Sequence, residues 1–261
     1  MKIVVCVKYV PDAQAGPRFA ADHTTDRVGV TGILSELDEY AVEEALKIAE
    51  AQGGSTVTVV TVGPQGASDA IRKALQMGAD AAVHVVDDAI HGSDAPATSL
   101  VLAAAVGRLE PDLVLTGMAS TDGAMSVVPS MLAERLSLPQ VTFAGSVAVA
   151  DGTVRIERDG DASTEVIEAA LPAVVSVTDQ INDPRYPSFK GIMAAKKKPV
   201  QTWSLADLDV AAEDVGASAA WTVVDDIAVR PPRQAGEIVH HAEGEDGGLR
   251  LVSFLAAAKL V

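Results

Sequence analysis

Short apolar runs alternate with longer amphipathic stretches through the first half of the chain. Runs rich in Val, Ile and Leu predict strands at residues 2–8, 56–61, 82–86 and 112–116. Their apolar residues are consecutive rather than alternating, which is typical of strands that helices cover on both faces. Strands of this kind, separated by helical patterns, predict βαβ units and a parallel sheet.

Hydrophobic residues at helical spacing predict helices beside these strands. The first covers residues 38–51 and ends at Gly53-Gly54, because glycine readily takes the positive φ that closes a helix. The others are predicted at residues 68–77, 94–109 and 124–136. In the third, Asp94 is a capping residue and Pro96 lies in the first turn.

The pattern changes after Pro139. Closely spaced strands are predicted at residues 141–149, 153–158, 165–169 and 174–177. Asp151-Gly152 is a strong hairpin-turn signal between the first two. The simplest interpretation is an antiparallel ribbon added to a mainly parallel, Rossmann-like sheet. The predicted fold is therefore a three-layer α/β/α domain over residues 1–200, followed by an extended C-terminal arm over residues 201–261.

The arm carries clear apolar positions but too few of them to form its own core. Residues 230–233 and the glycine-rich residues 244–248 interrupt it, and a last helix is predicted at about residues 249–259. That helix has an apolar face formed by Leu251, Val252, Leu255 and Ala258. Such a segment usually lies on another surface, which is either its own domain or a second subunit.

Composition excludes several classes of protein. With 36 acidic and 20 basic residues among 261, the chain has a formal charge of −16, which argues against nucleic-acid binding through phosphate attraction. The single cysteine, Cys6, excludes an internal disulfide framework and a cysteine-based zinc cluster. No apolar run approaches the roughly 18 residues of a membrane span, and the N-terminus lacks a secretory signal. We expect a soluble, cytoplasmic protein without membrane insertion.

Motifs for catalysis are absent from the sequence. It has no GxSxG, HExxH, GxxxxGK[ST] or post-strand GxGxxG pattern. Cys6 lies within the first predicted strand, where a buried structural thiol is the usual case. The histidines do not fall at metal-ligand spacings; they are His23, His84, His91, His240 and His241. The sequence therefore predicts no catalytic and no metal-ligating residue.

Three loops at the ends of predicted strands are candidates for ligand binding. In an open parallel sheet, ligands bind beyond the carboxyl ends of the strands, which are here residues 7–12, 61–66 and 117–128. The last of these is rich in small and hydroxyl residues, which let backbone amides approach a phosphate closely. It is either part of a nucleotide site or an ordinary loop in which Ser120, Thr121 or Asp122 caps a helix.

A second candidate segment covers residues 182–193, where turn-forming residues surround Tyr186 and Phe189. Three lysines, Lys196 to Lys198, follow it in a chain that has few aromatic residues. An aromatic anchor with a charged rim is typical of a protein-docking site. The alternative is that both rings pack on the domain and the lysines are simply solvated.

These segments together resemble the beta subunit of the electron-transfer flavoproteins, almost from end to end and in the same order. The matching stretches are Ile3 to Lys8 with Val10 to Asp12, Asp38 to Leu46, Gly63-Pro64, Ala70 to Leu75 with Met77 to Asp80, Ser120 to Gly123, and parts of 158–198. The last of these is the most specific and includes Leu171 to Val175, Pro184 to Pro187 and Ile192 to Lys198.

The resemblance implies a heterodimer whose alpha subunit holds a redox-active FAD, while the beta subunit holds AMP. It places the nucleotide site at Cys6, Leu37, Asp38, Val62, Asp122, Gly123, Ala124, Met125, Ser126, Val127 and Val128. It also implies a dehydrogenase-recognition loop at residues 184–195, with Phe189 as the hydrophobic anchor. The docking residues would be Tyr186, Phe189, Met193, Lys196, Lys197 and Lys198, and the arm would pack on the alpha subunit.

The implied role is that of an electron carrier rather than an enzyme. Electrons would come from acyl-CoA and other flavin dehydrogenases and would pass to a quinone oxidoreductase. One alternative is an electron-bifurcating relative that binds a second FAD in the beta subunit and oxidises NADH. Another is a free-standing adenine-nucleotide sensor of similar fold, which the long arm and the docking segment disfavour.

Overall fold

A computed structural model of the chain describes residues 1–16, 18–229, 231–232, 236, 238 and 246–261. Contacts divide the chain into two units, Met1–Asp225 and Asp226–Val261. The sequence-based boundary near residue 200 lies inside the first unit, because residues 200–225 continue to pack on it.

The first unit alternates strands and helices as the hydrophobic pattern predicts. Its strands are β1 (Lys2–Cys6), β2 (Tyr9–Pro11), β3 (Gly32–Leu34), β4 (Thr56–Val62), β5 (Ala81–Val85), β6 (Leu113–Gly117), β7 (Gln140–Ala144), β8 (Ser146–Ala150), β9 (Thr153–Asp159), β10 (Thr164–Ala170), β11 (Ala173–Val177) and β12 (Val200–Trp203). Its helices are α1 (Glu36–Gln52), α2 (Ser68–Met77), α3 (Ala95–Leu109), α4 (Val128–Leu136) and α5 (Phe189–Ala195). Asp94 caps α3 as predicted, since its side chain accepts a hydrogen bond from the backbone N–H of Ala97.

Seven of these strands form one parallel sheet in the order β12-β5-β4-β1-β6-β11-β7. Helices α1 and α2 bury one face of this sheet, where Val42 and Ile71 join the side chains of Ile3 and Val59. Helices α3 and α4 bury the other face, where Val101 and Leu132 join Val4. This arrangement confirms the predicted three-layer α/β/α fold.

The antiparallel ribbon is also present, and it consists of β8, β9 and β10. Asp151 and Gly152 have φ values of 51° and 74° at its first turn, as a two-residue hairpin requires. The predicted strand at residues 141–149 is instead two strands separated at Gly145. The first of them, β7, pairs with β11 in the parallel sheet, so the ribbon is shorter than the sequence suggested.

The predicted helix at residues 124–136 begins later, at Val128. Ala124 and Ser126 have φ values of 48° and 56°, which a right-handed helix does not accommodate. The four residues before Val128 therefore belong to the loop that follows β6.

Residues after the predicted boundary extend the first unit. Strand β12 pairs with β5 at the edge of the parallel sheet. Leu205, Leu208 and Val215 then join the core on the α3 and α4 face. These three side chains are buried, which explains why this part of the arm belongs to the first unit.

The second unit contains α6 (Gly247–Ala257), which confirms the predicted last helix. Its large apolar side chains are exposed within the chain: Leu249, Leu251, Val252 and Phe254 are each more than half accessible. Residues 230, 233, 244 and 245 of the predicted interruptions, together with His240 and His241, lie outside the described residues. Among the described residues, no helix combines the length and apolar character that crossing a membrane requires.

The ribbon is anchored by Ile156 of β9, which is fully buried against the core that α1 and α2 cover. We expect Ile156→Ala to lower the free energy of unfolding by about 2–4 kcal/mol, because it removes buried methyl groups and leaves a cavity. Urea denaturation of the purified protein measures this loss. The control is Val166→Ala on the outer face of β10, where the side chain is half exposed and the cost should stay below about 0.5 kcal/mol. Equal losses in the two variants would contradict the anchoring role.

Candidate functional site

The sheet changes direction at β1. Strands β4 and β5 lie in turn on one side of β1, and β6, the next strand of the sheet along the chain, lies on the other side of β1. Ligands of open α/β sheets bind at such a switch point, beyond the carboxyl ends of the strands. Cys6 ends β1, and Val62 ends the neighbouring strand β4. The predicted site residues on these strands therefore meet at one edge of the sheet.

Asp38 joins three segments at this edge. One of its carboxylate oxygens accepts a hydrogen bond of 2.8 Å from the backbone N–H of Lys8, just after β1. The other accepts a hydrogen bond of 3.3 Å from the backbone N–H of Gly117, at the end of β6. A Cβ atom on Gly117 would lie 2.6 Å from an Asp38 oxygen and 2.8 Å from the carbonyl oxygen of Leu37, so only glycine fits.

The Asp38 carboxylate is deeply buried. Burial raises its pKa to about 7, and the nearby charge of Asp122 adds to the increase. The two backbone hydrogen bonds and the Lys8 ammonium act in the opposite direction but only in part compensate. The carboxyl group therefore titrates near neutral pH.

Asp122 forms the second polar centre of this edge. It accepts a hydrogen bond of 2.8 Å from Lys8 Nζ and is also paired with the Arg27 guanidinium. Burial alone would raise the pKa of Asp122, but these two cations and the Ser120 hydroxyl outweigh it and lower the pKa. Lys8 Nζ also donates to Ser120 Oγ at 3.2 Å, so these contacts hold the loop after β6 against β1.

The loop from Met118 to Val127 leads into an uncapped helix. Val127 is the residue before α4, and its side chain accepts no hydrogen bond from the first turn. Pro129 lies in that turn and has no N–H to donate. The remaining N–H groups of the first turn point toward the loop and suit an anionic group.

The hydroxyl of Thr116 lies buried close to this edge. Thr116 Oγ1 makes no hydrogen bond to any described residue, although it is inaccessible. Thr116 pairs in register with Cys6, so both side chains lie on the sheet face that α3 and α4 cover. Cys6 is buried, as expected of a structural thiol, and burial, with a smaller contribution from Asp38, raises the pKa of its thiol to about 12.

The sequence did not single out a cleft of about 500 Å³ at the ends of β6, β7 and β11. Its lining residues are Met118, Phe143, Gly145, Arg158, Asp159, Thr178, Asp179 and Gln180. None of the predicted nucleotide-site residues lines it. Phe143 has a φ of 60°, an unusual value for a large side chain, at the place where the β7–β11 register shifts. The positions of Met118 and Thr178 just after predicted strands were the sequence signals that could have indicated the cleft.

Each of the described histidines lies within hydrogen-bonding distance of another group of the protein. His84 is buried on β5 with Nε2 3.2 Å from the carbonyl oxygen of Gly63, and His91 Nε2 lies 2.6 Å from an Asp22 carboxylate oxygen. His23 lies 3.3 Å from the carbonyl oxygen of Val224. Among the described residues, no group of three or more His, Cys, Asp or Glu side chains could hold a metal ion.

The second candidate segment is exposed at its aromatic residues. Tyr186 is 92% and Phe189 is 81% exposed. Ile192 and Met193, on the short helix α5, are also exposed, and with Phe189 they occupy positions i, i+3 and i+4 of that helix. These three residues and Tyr186 are together called the apolar surface of the segment. The alternative in which both aromatic rings pack on the domain is therefore wrong.

The three lysines after α5 differ from one another. Lys196 and Lys197 are exposed. Lys198 is half-buried, and its Nζ donates hydrogen bonds of 3.0 Å and 2.9 Å to the carbonyl oxygens of Leu75 and Gly78. Burial lowers the pKa of Lys198. Lys198 thus fastens the segment to the end of α2, whereas the other two lysines face solvent.

We expect the stability of the protein to carry a pH dependence from Asp38. Its pKa is higher in the folded than in the unfolded chain, so folding favours the protonated form and stability falls as pH rises from about 4 to 7. In Asp38→Asn this component disappears, although lost hydrogen bonding lowers stability at every pH. Urea denaturation at pH 5 and pH 8 measures the difference. Parallel pH profiles for the two proteins would contradict a titrating Asp38.

Comparison with known proteins identifies the family. The electron transfer flavoprotein domain model matches residues 22–208. Electron transfer flavoprotein subunit beta from Mycobacterium leprae is 45% identical, and that from Mycobacterium tuberculosis is 46% identical, over 99% of each chain. The caffeyl-CoA reductase-Etf complex subunit CarD of Acetobacterium woodii is 37% identical over 92% of each chain. The chain belongs to the electron transfer flavoprotein family, as a beta subunit.

Proposed function

We propose that this chain is the docking and nucleotide-binding half of a cytoplasmic electron carrier. An alpha subunit would hold the FAD that supplies the redox chemistry. Acyl-CoA and related flavin dehydrogenases would donate electrons, and a membrane-associated quinone oxidoreductase would accept them. The observation that carries this proposal is the apolar surface of Tyr186, Phe189, Ile192 and Met193, which stands in solvent on a chain of this family.

The chemistry of that surface suits a protein partner. Exposed aromatic and aliphatic side chains at the centre of an interface supply most of its binding energy. Lys190, Lys196 and Lys197 are exposed around it and would attract an acidic rim on the dehydrogenase. The net charge of −16 makes this local excess of positive charge stand out from the rest of the molecule.

The edge beyond β1 and β6 suits an adenine nucleotide, and we propose that it holds AMP. Cys6, Leu37 and Val62 would supply the less polar wall, and residues 122–128 would approach the phosphate through backbone N–H groups. Two observations support this fit: the Thr116 hydroxyl, which has no partner among the described residues, and the uncapped start of α4. The Lys8 and Arg27 cations beside Asp122 would also favour an anion there.

The C-terminal arm has a role in the same proposal. The apolar side chains of α6 are exposed within this chain, as expected of a helix that buries them against another subunit. We propose that the arm packs on the alpha subunit. The arm would then hold the FAD-bearing subunit in the heterodimer.

A second candidate function follows from the similarity to a subunit of a caffeyl-CoA reductase complex. In that case the chain would belong to an electron-bifurcating flavoprotein that oxidises NADH. The two candidates differ at the nucleotide edge, which would hold AMP in the carrier and a second FAD in the bifurcating protein.

The docking proposal is tested by Phe189→Ala in the purified, FAD-loaded heterodimer. We expect the KM of a cognate dehydrogenase for the carrier to rise at least about tenfold, because truncation removes a central anchor of the interface. The FAD content and the association of the subunits should not change. Val166→Ala, at a half-exposed apolar position of the ribbon, is the control and should leave the KM unchanged. An unchanged KM for Phe189→Ala would refute the docking role of this surface.

A further inference from the structure

We propose that Arg185 is a positioning residue, which holds the docking segment (residues 182–198) in a preformed, docking-competent conformation. This inference rests on the proposed docking function. It concerns Arg185 because this side chain points away from the docking surface, although it directly precedes Tyr186 in the sequence.

Arg185 binds two glutamates of α1 at once. Its Nε and Nη2 donate hydrogen bonds of 2.7 Å and 3.0 Å to the two carboxylate oxygens of Glu43. Its Nη1 and Nη2 donate hydrogen bonds of 2.6 Å and 3.2 Å to the carboxylate of Glu50. The backbone N–H of Arg185 donates to Glu43 as well, at 3.1 Å, so both the side chain and the main chain are fixed.

The burial of Glu43 makes this contact stronger than a surface ion pair. The side chain of Glu43 is only 8% exposed, whereas that of Glu50 is 61% exposed. A buried carboxylate without its partner is costly, and a bidentate guanidinium satisfies both of its oxygens. The contact joins positions 142 residues apart in sequence, so it ties the segment to the sheet-covering helix.

Further contacts hold the segment on both sides of the exposed surface. Asn182 Nδ2 donates to the carbonyl oxygen of Tyr40 at 3.1 Å and to Glu44 at 3.0 Å. Gly191 of α5 lies so close to α2 that a Cβ atom there would be 2.6 Å from the carbonyl oxygen of Gln76. Lys198 then bonds to the carbonyl groups at the end of α2.

The consequence for docking is thermodynamic. A segment that is ordered before the partner arrives loses less conformational entropy on binding than one that must order on contact. Tyr186 and Phe189 can be exposed and still well placed, because the residues on either side of them are bound to α1 and α2. Arg185 would therefore act on affinity through the position of these rings, without touching the dehydrogenase.

A direct electrostatic role is the competing explanation, and the charges argue against it. Arg185 faces two carboxylates, so the cluster of Arg185, Glu43 and Glu50 has a net charge of −1. The exposed lysines of the segment, rather than this cluster, present positive charge to a partner. Loss of the Arg185 charge should therefore disturb the position of the docking segment more than it weakens the attraction between the segment and a dehydrogenase.

The experiment compares Arg185→Gln, Arg185→Lys and Arg155→Gln in the FAD-loaded heterodimer. Arg155 is a control because it pairs with Glu168 at 3.8 Å on the ribbon and is largely exposed. We expect Arg185→Gln to raise the KM of the dehydrogenase for the carrier about tenfold and to leave kcat unchanged. Arg185→Lys should be almost as impaired, because an ammonium cannot reproduce the planar, two-carboxylate contact. Arg155→Gln should behave as the wild type.

Two further measurements separate positioning from attraction. Hydrogen–deuterium exchange at amides 184–195 should become faster in Arg185→Gln, while exchange in the parallel sheet stays the same. The dependence of KM on salt should keep its slope, since the steering lysines remain. Full rescue by Arg185→Lys, or a reduced salt slope, would overturn the inference in favour of a charge role. An unchanged KM for Arg185→Gln would overturn it outright.

Comparison of Phe189→Ala with Arg185→Gln distinguishes the positioning role of Arg185 from the proposed docking function. If Phe189→Ala raises the KM and Arg185→Gln does not, docking stands and positioning fails. If neither variant changes the KM, the docking function itself fails.

Should Arg185→Gln not fold, Glu50→Gln removes one arm of the same contact at an exposed position and is expected to raise the KM about threefold. No rise in that variant would count against positioning.

Discussion

The two hydrogen bonds of the buried Asp38 carboxylate determine how the functional edge of this protein is assembled. They connect the start of α1 to Lys8, two residues beyond β1, and to the last residue of β6, across the place where the sheet changes direction. The glycine at position 117 is required by the same contact, because a side chain there would displace the carboxylate. The loops that suit a nucleotide begin directly after these two strands, so their positions follow from this bridge.

Helix α1 also binds the proposed docking segment, farther along its length. Glu43, Glu44 and Glu50 bind the base of the proposed docking segment, while Asp38 in the first turn of the same helix lies at the proposed nucleotide edge. One helix therefore contacts both regions. This suits the proposed role of the chain, which is to hold and orient its partners, because electron transfer between proteins depends on the placement of a partner's cofactor.

Much of the fold could be predicted from the sequence, because its elements follow from patterns among neighbouring residues. The consecutive apolar residues of β1, β4 and β6 and the cap at Asp94 indicated the parallel sheet and its helices. The set of nucleotide-site residues came from family resemblance rather than from periodicity. The start of α4 was misplaced, because Ala124 and Ser126 adopt positive φ values that their residue types do not signal. The contact of Arg185 with Glu43 was not foreseen, since it joins distant positions through tertiary packing.

We propose that this chain binds a nucleotide that does not react, beside an alpha subunit that carries the flavin. The most direct test is to denature the purified heterodimer and to identify and count the nucleotides that it releases. The account predicts one FAD and one AMP per heterodimer. Two FAD molecules per heterodimer and no AMP would contradict it and would favour the bifurcating alternative, and one FAD without any second nucleotide would contradict the assignment of the nucleotide edge.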